Sequence, residues 1–128
     1  MKRKNISSGA PWEDIVGYSR AVRVGNIIEI TGTVAVRDGE VVGLDDPYKQ
    51  TICILEIIET ALEEADATMS DVVRTRMFVT DITHWKEIGK AHGEFFNDIR
   101  PATTMIEVSA LIQPEFLVEI EATAIIQG

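Results

Sequence analysis

Hydrophobic and polar positions alternate most regularly in the last quarter of the chain. Val118, Ile120, Ala122 and Ala124 form one set, and Glu119, Glu121 and Thr123 form the other. This period of two is the mark of a strand with one buried face. The segment before it alternates Thr104, Ile106 and Val108 against Thr103, Met105 and Glu107, and the two read as strands joined by a short turn around Pro114. An unpaired buried charge is costly. The face bearing Glu119 and Glu121 is therefore expected to line a wet cleft, a subunit contact or open solvent.

Earlier in the chain, residues 5–17 are rich in Ser, Gly and Pro and read as a loop, with Trp12 covering part of the core or cleft. Tyr18 to Val24 alternates as a strand, and Gly25-Asn26 turns it into a second strand, Ile27 to Thr31. After the short apolar run Val34-Ala35-Val36, Asp38-Gly39 is a strong turn signal. Asp46 and Pro47 open a first helix as N-cap and first helical residue. Ile54, Leu55, Ile58, Ala61, Leu62 and Ala65 give that helix one apolar face, although no Gly marks its end near Asp66. Val72 to Thr80 is a β-branched strand with Val73, Thr75, Met77 and Val79 on one face and Val72, Arg74, Arg76 and Phe78 on the other. Asp81 or Thr83 caps a second helix whose buried stripe is Trp85, Ile88, His92, Phe95 and Phe96, and Arg100-Pro101 ends it.

The element order is β-β-(β)-α-β-α-β-β, which predicts an α+β fold: a mixed sheet with two helices on one face, in a single domain over residues 1–128. Its other face would be left uncovered. Apolar residues assigned there, Met105 and Phe78 with their neighbours, favour burial against a second subunit.

Composition narrows the classes of partner. The 128 residues carry a net charge of −9, which opposes binding to nucleic acid or an anionic membrane. The single cysteine, Cys53, excludes an intrachain disulfide and fits a reducing compartment. Basic residues at the N-terminus have no apolar run behind them, so they are not read as a secretory signal, and no stretch approaches a membrane span. A cytoplasmic globular protein is expected.

Several segments carry a resemblance. Pro101-Ala102, Val118-Glu119-Ile120-Glu121-Ala122, Tyr18-Ser19-Arg20-Ala21-Val22, Thr31-Gly32-Thr33, Gln50-Thr51, Asp71 to Thr75 and Phe95-Phe96 occur in the order of the Rid family's pattern. The chain thus resembles the YjgF/RidA proteins, also called endoribonuclease L-PSP. The resemblance implies a chorismate-mutase-like fold, a homotrimer whose sheets form a central barrel, and small-molecule clefts between subunits. In RidA-like members the cleft hydrolyses reactive imines and enamines to a keto acid and ammonia, a deaminase activity that needs no cofactor.

Carried over by position, the resemblance makes Glu119 the catalytic carboxylate that places water, with Tyr18, Thr31, Thr103 and Met105 lining the cleft. Thr103 stands where the family's Pro-Ala-Arg-Ser has the arginine that grips a carboxylate at two points, and a hydroxyl offers one neutral hydrogen bond instead. Arg20, which alternates with Tyr18, and Arg76 are the candidate replacements for that grip. The plainer reading of both is an ion pair with Glu107, Glu119 or Glu121. Glu119 and Glu121, about 6.5 Å apart along the strand, form either acid-base machinery or a solvated polar face. His92 falls on an apolar helix stripe and reads as a core residue, His84 as exposed, and the two make no metal site of usual spacing. Neither nucleophile elbow nor phosphate-binding glycine loop is present. The expectation is a hydrolase for a small imine, enamine or related metabolite of non-archetypal specificity. The alternatives are a non-catalytic small-molecule binder that modulates a partner and, less favoured, an endoribonuclease.

Overall fold

A computed structural model describes residues 1–127. Its strands are β1 (Arg3–Ile6), β2 (Ala21–Val24), β3 (Ile27–Thr33), β4 (Val36–Arg37), β5 (Glu40–Val41), β6 (Val72–Val79), β7 (Ala102–Glu107) and β8 (Val118–Ile125). Its helices are α1 (Pro11–Val16), α2 (Pro47–Glu64) and α3 (Trp85–Phe96). Six strands form a mixed sheet in the order β1-β2-β3-β8-β6-β7, with β6 and β7 parallel, and β4 and β5 form a small ribbon. The α+β expectation holds.

Local chemistry explains several boundaries. The Asp46 carboxylate accepts a hydrogen bond from the Lys49 amide at 2.9 Å, and Pro47 follows at the first helical position, so α2 begins where the sequence says. The helix ends with Asp66 at φ +63° in the position that usually takes glycine. The Ala67 and Asp66 amides return to the Leu62 and Glu63 carbonyls, closing a Schellman cap without a Gly. Asp38 and Gly39, both at positive φ, form the tight turn of the β4–β5 ribbon.

The core lies between the sheet and the packed pair α2 and α3. Ile54, Leu55, Ile58 and Leu62 of α2 meet Val118, Ile120, Ala122 and Ala124 of β8 in one buried cluster. Burying a side chain of this size stabilises by roughly 1.5–3 kcal/mol, and this face holds the fold together. Neither α2 nor α3 covers the opposite sheet face. It exposes Val24, Ile27, Ile106 and Ile125 around a stripe of charged residues.

Six sequence expectations are corrected. The supposed loop over residues 5–17 holds the edge strand β1 and the short helix α1, although Trp12 does reach the core, edge-on to Phe116 with ring centroids 6.1 Å apart. The strand expected from Tyr18 begins at Ala21, because both Arg20 and Ala21 turn inward and alternation fails there. In β6 the register slips between Val72 and Arg74, which buries Val72 and exposes Val73. Trp85 is 54% exposed; it is the first residue of α3, and the core stripe starts one turn later at Ile88, Ala91 and His92. Finally, β7 and β8 are not neighbours, because β6 lies between them. Pairing in register with Met77 turns Met105 toward the helix-covered face instead of the open one, whereas Phe78, opposite Glu119, does lie on the open face.

Candidate active site

Two polar clusters flank the sheet. On the open face, β8 projects Glu119 and Glu121, and antiparallel pairing sets Glu121 opposite Arg76 and Glu119 opposite Phe78. The two carboxylates are treated differently. Glu121 pairs with Arg76 at 3.6 Å and both remain substantially exposed. Glu119 lies over Gly32 of β3, where the strand bulges against β8. A β-carbon at residue 32 would stand 2.5 Å from Glu119 Oε2 and 3.0 Å from its carboxyl carbon, so only glycine leaves that space. Burial pushes the Glu119 carboxyl above its ordinary range; the Arg20 charge works against this rise and the Glu121 charge with it.

The bulge is held from behind by Arg20. Its Nη1 donates to the Gly32 carbonyl at 3.0 Å and to the Thr33 hydroxyl at 3.1 Å, and Nε donates to the Ser8 hydroxyl at 3.2 Å. Its Nη2 lies 3.7 Å from Glu13 Oε2, with both side chains almost fully buried. Its Cζ lies 5.7 Å from the centre of the Tyr18 ring. Burial alone would raise the Glu13 carboxyl. Hydrogen bonds from Ser8 and Ser7, together with the Arg20 charge, outweigh it and hold Glu13 below the usual range. Arg20 is therefore committed to the structure of the bulge, and its guanidinium does not face the groove as a free cation.

Tyr18, Thr31, Arg76 and Glu121 line an open groove of about 740 Å³; Glu119, two residues from Glu121 on the same strand face, lies outside that lining. Its charged lining is Glu13, Asp14, Glu29 and Glu121 against Arg3 and Arg76, a surplus of negative charge. On the other side of the sheet, Thr103 and Met105 stand beside Thr75 and Met77. Thr103 Oγ1 is 2.7 Å from Thr75 Oγ1, which is 2.9 Å from His92 Nε2. Burial pulls the His92 imidazole below its usual value, so it is held neutral.

Of the residues singled out in the sequence, Tyr18, Thr31, Arg76 and Glu119 thus share the open face, while Thr103 and Met105 lie on the other face at the β7 edge. One small ligand cannot touch both sets within one subunit. Sequence reasoning missed Gly32 as the seat of Glu119, although a glycine inside a strand pattern is itself a signal of a bulge or close approach. It also missed Glu13 and Thr75, which no local pattern marks. Among the described residues, no group of three or more His, Cys, Asp or Glu side chains is placed to hold a metal. No helix there is long and apolar enough to cross a membrane.

Comparison with known proteins bears on this arrangement. The family model described as Endoribonuclease L-PSP matches residues 9–126. A RutC family protein of Pyrococcus abyssi is 35% identical over 109 residues, 84% of each chain. The crystal structure of Rv2704 from Mycobacterium tuberculosis, a member of the YjgF/YER057c/UK114 family, is 49% identical with a TM-score of 0.90, covering 98% of this chain and 100% of the other. A putative endoribonuclease of Thermotoga maritima is 28% identical with a TM-score of 0.83, covering 98% of this chain and 94% of the other.

Proposed function

The chain belongs to the endoribonuclease L-PSP family, the YjgF/Rid group, and from that premise we propose that it is a homotrimeric, cytoplasmic hydrolase acting on a reactive imine or enamine that lacks the archetypal carboxylate. The observation that carries this reading is Glu119: a half-buried carboxyl seated over Gly32, on the strand face whose Glu121 lines the open groove, and raised above its ordinary range by burial. A carboxyl so placed suits general acid-base transfer to and from a water molecule. Hydrolysis of an imine needs no further cofactor.

The charge pattern supports the substrate class. Thr103 supplies no cation, Arg20 is buried in its own network, and Arg76 is paired with Glu121. A groove with surplus acid favours neutral or cationic ligands over carboxylates. The trimer is part of the same proposal. Glu119 and Thr103 lie on opposite sheet faces, and a site using both needs two copies; the exposed Val24, Ile27, Ile106 and Ile125 give a second copy apolar surface to cover. A net charge of −9 argues against RNA as the substrate.

The test generates imines in situ with amine and amino-acid oxidases and lets semicarbazide compete for them. Wild type is expected to hydrolyse amine-derived imines in preference to amino-acid-derived ones. Glu119→Gln should lose about 10²-fold or more in turnover while sedimenting as the same oligomer. Thr103→Arg should move preference toward carboxylate-bearing imines. If wild type and Thr103→Arg are both inactive, the chain is a small-molecule binder and not a hydrolase.

A further inference from the structure

The helix-covered side of the β7 edge carries a path of hydroxyls that Glu119 does not use. His92 on α3 is buried, and Thr75, its partner at 2.9 Å, is fully buried on β6. Thr75 Oγ1 is in turn 2.7 Å from the hydroxyl of Thr103, which is exposed. Thr75 and Thr103 are paired in register on parallel strands and face the same side. An unbroken line therefore runs from a buried imidazole to a hydroxyl at the surface.

Each member can both give and receive a proton. A threonine hydroxyl donates one hydrogen and accepts through its lone pairs, and neutral imidazole accepts on one nitrogen while donating from the other. An arginine at residue 103 could only donate. We propose that Thr103 is a proton-transfer group of the intersubunit cleft, with Thr75 and His92 as positioning residues that relay its proton. This rests on the hydrolase reading above and adds a role for the cleft wall opposite Glu119.

The step balances with water alone. Water oxygen bonds to the iminium carbon and its proton passes to Thr103 Oγ1. The Thr103 proton moves to Thr75 Oγ1 and the Thr75 proton to His92 Nε2, leaving a neutral carbinolamine and an imidazolium. The reverse movement protonates the carbinolamine nitrogen. The C–N bond then breaks with its electron pair going to nitrogen, the amine or ammonia departs, and the hydroxyl proton passes to the Glu119 carboxylate, which returns it to water, to give the carbonyl.

Two measurements on the 128-residue chain test this. The first needs no substrate: NMR exchange spectra follow the Thr75 hydroxyl proton, which is buried and has Thr103 as its route to water. Exchange should slow in Thr103→Val, a replacement of like shape, and recover in Thr103→Ser. A purely structural Thr103 would not move this rate, so equal exchange in wild type and Thr103→Val, including exchange too fast to follow in both, overturns the relay. The second is the imine assay, in which Thr103→Val should lower kcat about 10²-fold with KM little changed and Thr103→Ser should restore it. If exchange depends on Thr103 and no imine is hydrolysed, the hydrolase reading fails while the relay stands. If imines are hydrolysed and exchange ignores Thr103, the relay fails alone.

Discussion

Glu119 and Thr103 sit on opposite faces of one sheet, and their surroundings are built by opposite means. The Glu119 side is made of charges: two carboxylates two residues apart, one paired with Arg76 in water, the other resting on a glycine and steadied by Arg20 through the backbone. The groups bonded to one another at Thr103 are uncharged: two hydroxyls on β6 and β7 and a neutral imidazole on α3. The open face has water to solvate ions and can keep them. Under α3 an ion left without a partner costs several kcal/mol, so at rest the groups joined to Thr103 are neutral and satisfied by one another, and a proton taken up by His92 is held only in passing. Every buried side-chain N and O among the described residues has a hydrogen-bond partner.

That contrast can be broken most sharply at Gly32. Gly32→Ala puts a methyl group within the space of the Glu119 carboxyl. The atoms it meets belong to a flexible side chain, so the fold should survive while Glu119 is displaced. Imine turnover should fall as far as in Glu119→Gln, about 10²-fold, and the Thr75 hydroxyl exchange should stay as in wild type. A loss of both readouts would mean that the two faces are not independent.

Next in size is Arg20→Met, which strips the bulge of its tether and leaves Glu13 buried without its cation. Breaking a buried pair from one side costs about 3–5 kcal/mol, measurable by urea unfolding. The Glu119 carboxyl should also rise further, since the Arg20 charge opposes its rise; carboxyl-carbon NMR would follow it. A stable Arg20→Met protein with an unmoved Glu119 would remove Arg20 from the site.

The two faces should also respond to acid with opposite signs. Glu119 binds its proton more tightly folded than unfolded, so its share of stability grows as pH falls from its folded value toward the ordinary 4.5. His92 binds its proton less tightly folded, so its share is lost as pH falls from the ordinary 6.5 through its lower folded value. Glu119→Gln should flatten the first slope and His92→Gln the second in unfolding measured against pH. The smallest effect is expected at the exposed Arg76–Glu121 pair: Glu121→Gln should change stability by about 0–1 kcal/mol, less in high salt.

Half of the Glu119 site was legible in the sequence. Alternation along β8 put Glu119 on a polar face and Thr103 stood out against the arginine of the family pattern, but neither signal said that the two face opposite ways. The reason lies in β6: a short connection between β7 and β8 reads as a hairpin, and nothing local reveals that another strand is inserted between them. Arg20 shows the same limit. Period two placed it beside Tyr18 at a surface, yet the chain turns it inward to Glu13, Ser8 and Gly32.

The sequence alone determined what depends on neighbours along the chain: the Asp46-Pro47 helix start, the Asp38-Gly39 turn, and the two-faced pattern of β8. These are set by backbone preferences and by burial of every second side chain, which act over a few residues. Only the tertiary structure decided what depends on pairing. It placed Thr103 beside Thr75, 28 residues away, and Thr75 beneath His92, 17 residues away, and it opened at Gly32 the space that Glu119 fills. Such contacts follow from the parallel register of β6 with β7 and the slipped register of β3 against β8, and strand register belongs to the assembled sheet, not to any one strand.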